Sequence, residues 1–220
     1  MLSRSGAVLL LCAVLAGCGG GEKRSEPPPD PVETLEALIA AVRARDDGAV
    51  PPLLTKASRP RVSLSFLEQR LRPFERVYTV RLAEPAGPIW AVVAITNDGP
   101  KQAGPPAAFA VTLRREGGRW RHELGGPVRI EPIGPGPGSR TRLVAQVAAR
   151  IAAGAPITAA ALWVDGAAME VKGGASPDGK RYTAFANLVE PLPAGRHFVV
   201  AFASTDGSAS ALAWAFTVVR

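Results

Sequence analysis

Between Asp30 and Leu71 the apolar residues recur every three or four positions. Val32, Leu35, Leu38, Ile39 and Val42 make one stripe, which predicts an amphipathic helix. Asp30 stands where the N-cap belongs, Pro31 at the first helical position, and Glu33 where a capping box needs an acid. Gly48, after Asp46-Asp47, predicts the stop. Val50 to Leu54 predicts a second, short helix. Ser65-Phe66-Leu67-Glu68 reads as another capping box, leading a third helix that ends before Pro73. From Tyr78 the period shortens to two. Tyr78, Val80 and Leu82 alternate with Thr79 and Arg81, and Ile89, Ala91, Val93 and Ile95 share one face of the next strand. Asn97-Asp98-Gly99-Pro100 reads as a loop. Phe109, Val111 and Leu113 alternate again, Gly117-Gly118 makes a hairpin turn, and Trp120, His122 and Leu124 lie on the returning strand. Helices followed by an antiparallel meander predict an α+β unit.

Residues 126–138 alternate proline with glycine and mark a connector, with a first edge strand predicted at Val128-Arg129-Ile130. Beyond it the pattern is all-β. Leu143, Ala145, Val147, Ala149 and Ile151 share a strand face. Leu162 and Val164 lead into the Asp165-Gly166 hairpin signal, with a return strand predicted at residues 169–172. Ser176-Pro177-Asp178-Gly179 turns into a strand at 182–188. Phe198, Val200 and Phe202 precede an Asp206-Gly207 turn, and Leu212, Trp214, Phe216 and Val218 follow. Turns about every ten residues predict a sandwich. At the other end, Arg4 precedes a nearly unbroken apolar run over residues 7–15, shorter than the roughly 20 residues of a spanning helix. It closes on Leu15-Ala16-Gly17-Cys18. Residues 19–29 follow as a linker of glycines, charges and Pro27-Pro28-Pro29.

Three resemblances attach to these stretches. Leu15-Ala16-Gly17-Cys18, after a charged and an apolar region, resembles the lipobox of bacterial lipoproteins. It implies a signal peptide over residues 1–17, removal of that peptide, and diacylation (palmitate among the chains) of Cys18. The alternative is an ordinary secretory signal in which Cys18 is incidental. Gly19, rather than aspartate, implies an outer-membrane destination where the cell has an outer membrane. The leading helix, the Asp-Asp-Gly stop, Ala49-Val50-Pro51-Pro52-Leu53-Leu54 and the Gly117-Gly118-Arg119-Trp120-Arg121 hairpin resemble the nuclear transport factor 2-like fold. That resemblance covers residues 31–125 and implies a curved sheet around a long helix, with a cone-like cavity. Leu162-Trp163-Val164-Asp165-Gly166, Leu192-Pro193-Ala194-Gly195-Arg196-His197 and Trp214-Ala215-Phe216-Thr217-Val218 resemble bacterial immunoglobulin-like domains. They imply an immunoglobulin-like sandwich over residues 126–220, suited to spacing, adhesion or interaction. With residues 18–30 as linker, the chain reads as anchor, spacer and two domains.

Charge and chemistry narrow the function. The chain carries a formal net charge of +7, and loss of residues 1–17 removes only Arg4 and leaves +6. That excess suits an anionic membrane or an acidic glycopolymer, or simply a solvated surface. No basic run with interleaved aromatics points to nucleic acid. The two cysteines are Cys12, inside the signal, and Cys18, so the mature part has no pair for a disulfide. His122 and His197 are the only histidines. His122 would need Asp98 or Glu84 as a partner for acid–base work, and a lone strand histidine more often packs or hydrogen-bonds. Asp165, Asp178 and Asp206 sit in turns beside glycine, which favours turn roles over calcium ligation. Trp90, Trp120, Trp163 and Trp214 suggest core packing, a sugar platform being the alternative. The expectation is a non-catalytic envelope lipoprotein with no metal and no cofactor. Its partners would be the lipid bilayer through acylated Cys18, and another envelope protein or a cell-wall polymer. The alternative is a small-molecule binder, or an isomerase- or dehydratase-like enzyme, with Trp90, Trp120 and His122 in the cone.

Overall fold

The computed structural model describes residues 30–74, 77–97 and 107–220. The lipobox, Cys18 and the linker lie outside the described residues, as does Asp98. The described chain is mostly β, with a few helices near its start.

Helix α1 (Pro31–Ala44) begins as its sequence demands. Asp30 Oδ1 accepts from Val32 N at 2.9 Å, and Asp30 N donates to Glu33 at 3.3 Å, completing the capping box. It ends earlier than Gly48. Arg45 takes a left-handed conformation (φ 53°), and the amides of Arg45 and Asp46 close onto Val42 O and Ala41 O. Helix α2 (Val50–Leu53) follows, then a single turn of tighter helix, then α3 (Leu64–Leu71). The cap of α3 is Ser63 rather than Ser65: Ser63 Oγ accepts from Phe66 N at 3.2 Å, and Ser65 lies inside the helix. Starting at Leu64 puts Leu64, Leu67 and Leu71 on one inward face.

Strands β1 (Thr79–Pro85), β2 (Trp90–Thr96), β3 (Ala108–Glu116) and β4 (Arg119–Glu123) form an antiparallel meander in that order. Val93, Ile95, Val111 and Leu113 face the helices and bury Leu35, Leu38 and Ile39 of α1. Each such side chain, moved wholly out of water, contributes roughly 1.5–3 kcal/mol.

The remaining strands are β5 (Arg129–Gly134), β6 (Arg140–Thr141), β7 (Gln146–Ala152), β8 (Ala159–Val164), β9 (Ala167–Ala168), β10 (Lys172–Ala175), β11 (Arg181–Asn187), β12 (Gly195–Ser204) and β13 (Ala209–Val218). One sheet has the order β10-β11-β7-β5 and the other β6-β13-β12-β8-β9. They enclose a core that includes Val147, Ile151, Leu162, Val199, Trp214 and Phe216, which makes this part a β-sandwich. The return strand predicted at 169–172 is divided. After Ala168 the chain leaves β8 and crosses to the opposite sheet, where β10 pairs with β11. Gly173 permits that pairing, because a Cβ there would stand 2.4 Å from Thr183 O and the Tyr182 ring.

A third core lies between the meander and the sandwich. Leu82, Trp90, Val92, Ala94 and Ala110 pack against Trp163, Phe198, Val200 and Phe202. Strand β12 is therefore covered on both faces: Phe198, Val200 and Phe202 meet the meander, while Val199 and Ala201 meet the sandwich core. The layers run helices, meander, the β12–β13 sheet, then the β7–β11 sheet.

Candidate functional site

The three residues singled out for a cone cavity are not brought together. His122 and Trp120 share the helix-facing side of β4, where Trp120 is half-buried against the helical core. Trp90 is on the opposite face of the sheet. Its ring packs in the third core, with the Arg114 guanidinium carbon 5.3 Å from the ring centroid. The reason is the two-residue period: Ala91, Val93 and Ile95 take one face of β2, so Trp90 takes the other.

His122 is fully buried. Its Nε2–H donates to the Thr34 carbonyl of α1 at 3.1 Å, and Nδ1 has no partner among the described residues. Burial pushes its pKa down from 6.5 to about 4, against the smaller upward pull of the Thr34 carbonyl. The ring is a neutral clamp between β4 and α1, and the backbone adds to it, since Thr55 N donates to His122 O at 3.0 Å. Glu84 is exposed on β1.

His197 is held as tightly. Its Nδ1 is 2.6 Å from Asp165 Oδ2 and its Nε2 is 2.8 Å from Pro193 O. Asp165 Oδ1 also accepts from Phe198 N at 3.0 Å. Asp165, at φ 50°, thus ties the β8–β9 turn to the start of β12. Asp178 is a turn residue too: it accepts from Ser176 Oγ and from Lys180 N, and the Ser176 hydrogen bond leads the effects that hold its carboxyl below the usual range.

A cavity of about 350 Å³ lies at the seam between the two halves. Its walls come from α3, β3, the end of β4, β5 and β13. On β3 and β13 the wall includes the small residues Ala108, Ala110, Ala211 and Ala213, which leave space where the rest of the seam is filled by tryptophan and phenylalanine. Two buried polar residues belong to the lining. Thr112 and Glu123 are cross-strand partners on β3 and β4, 1% and 3% exposed. Thr112 Oγ1 has no hydrogen-bond partner among the described residues.

The Glu123 carboxylate is met by hydroxyls. Thr55 Oγ1 lies 2.6 Å from Oε2 and Ser208 Oγ 3.5 Å from Oε1. Thr55 has one proton and gives it to the carboxylate, so Ser58 Oγ, 2.8 Å from Thr55 Oγ1, donates back to Thr55 and itself accepts from Leu124 N. No cationic nitrogen lies within 4 Å of Glu123 among the described residues. Gly126 lets the connector pass this close to the β12–β13 turn, since a Cβ there would stand 2.6 Å from Ser208 Oγ.

Glu123 and Thr112 escape a reading from pattern alone. The one available sign is that Glu123 follows His122 on a strand and must point to the opposite face. What covers that face is β13, some ninety residues away along the chain.

No family model matches the chain, and no curated protein matches its sequence. Among solved structures it is similar to the crystal structure of PcoC, a methionine rich copper resistance protein from Escherichia coli. The identity is 22% over 40% of this chain and 94% of that chain, with a TM-score of 0.28. The selenomethionine form of PcoC gives 19% identity, 40% and 96% coverage, and a TM-score of 0.28.

Proposed function

We propose that this protein is a membrane-anchored envelope lipoprotein whose folded part is a non-catalytic binding or interaction module. The observation that carries the reading is Cys18, placed directly after Leu15-Ala16-Gly17 at the end of a short apolar run and the one cysteine left once that run is removed. Two acyl chains give stable attachment where one gives only marginal binding. The partners are the bilayer, through acylated Cys18, and another envelope protein or a cell-wall polymer, with the outer membrane as destination where the cell has one.

Helices packed on one face of a four-stranded meander support a nuclear transport factor 2-like unit over residues 31–125. The two facing sheets beyond it support an immunoglobulin-like sandwich over 126–220. The enzymatic alternative gains nothing from His122, whose ring has no solvent contact and whose Nε2 is engaged by Thr34.

Replacing Cys18 by serine tests the reading in cells fed a clickable palmitate analogue. The wild-type chain is expected to carry label and to sediment with membranes. The Cys18→Ser chain is expected to lose the label. A Cys18→Ser chain that keeps it overturns the proposal.

A further inference from the structure

We propose that the cavity at the seam binds a small organic ammonium compound, with its apolar body between β3 and β13 and its N–H donors on Glu123. Three observations carry this. The first is size: about 350 Å³ lies within the range of small-molecule sites and is about ten times the share of one water. The second is unmet demand. A carboxylate offers about four acceptor sites, and Glu123 receives one short hydrogen bond from Thr55 and one long one from Ser208. A buried carboxylate in that state is costly, and a ligand bringing N–H donors satisfies it.

The third observation is the sign of the charge. Glu123 is buried and lacks a cation within 4 Å among the described residues, so its field is little screened. Arg70 and Arg129 stand at the rim and are exposed, where water and salt weaken their pull on an anion. Glu131 stands with them. An anion at the floor would face Glu123; a cation there is paired by it. Phe66 and Phe109 line the same cavity and suit an apolar or aromatic body.

The test is titration calorimetry on the full chain in detergent, against a detergent-only blank, with phenethylamine as probe. Phenethyl alcohol and hydrocinnamate provide the same body with a neutral and an anionic head. Phenethylamine is expected to bind with a Kd on the order of 1 mM, and the other two about tenfold or more weaker. Glu123→Gln preserves an acceptor for Thr55 and is expected to weaken phenethylamine about tenfold. Ala211→Phe leaves Glu123 untouched, fills the space, and is expected to weaken all three probes; circular dichroism confirms that each variant is folded. Hydrocinnamate binding better than phenethylamine overturns the proposal, as does an absence of saturable phenethylamine heat. Binding unchanged in folded Ala211→Phe overturns it as well, whether or not Glu123→Gln folds.

Discussion

His122 sits between β4 and α1 with one nitrogen on a helix carbonyl and the other unmet. That placement couples folding to pH. Its pKa is 6.5 when unfolded and about 4 when buried. Above pH 6.5 both states hold the ring neutral and its contribution is intact. Between pH 6.5 and 4 the unfolded chain takes up a proton that the folded chain refuses, so stability falls by about 3 kcal/mol over that window. In urea unfolding across this range, His122→Gln is expected to remove that part of the slope while keeping a donor for Thr34. An unchanged difference between pH 7 and pH 4 would show that the ring is not buried neutral. His122 was legible as a packed strand histidine from its solitude and its alternation with Trp120 and Leu124. Its partner was not, because the Thr34 carbonyl carries no residue signature.

At the scale of elements, local signals succeeded where several coincided. Asp30, Pro31 and Glu33 all point to one helix start, and α1 begins there. The sequence pattern puts the start of α3 at Ser65, two residues late, because side-chain chemistry does not separate Ser63 from Ser65. Packing of half-buried Leu64 beside Leu67 does, and packing is a tertiary fact. Loss of a serine cap costs about 1 kcal/mol. Ser63→Ala is therefore expected to lower the unfolding free energy by about that much and Ser65→Ala by a few tenths at most, as measured by chemical denaturation; equal effects would place the cap elsewhere. The β9–β10 crossing was hidden for a similar reason. Asp165-Gly166 does form the tight turn, but the two-residue length of β9 follows from pairing with β11 on the other sheet. Two uninterrupted apolar runs, Trp90 to Ile95 and Phe198 to Ala203, hold the clearest overlooked sign. A strand with no polar position has no face for water.

Across the whole molecule those two runs meet, and the third core makes the helical half and the sandwich share one interior. Heating is then expected to give one cooperative transition, with calorimetric and van't Hoff enthalpies equal. Trp90→Ala removes the largest side chain that the meander contributes there and is expected to lower stability by about 3–5 kcal/mol. Two separate transitions in the unaltered chain would show that the halves stand alone. The seam also imposes an order in time. As the chain is delivered from its N-terminus the meander arrives early, while β12 and β13 follow every other described strand. Wherever the meander folds before they arrive, Trp90, Val92, Ala94 and Ala110 form a bare apolar sheet face awaiting its cover, so any chaperone that escorts this chain has its task set by the lateness of β12.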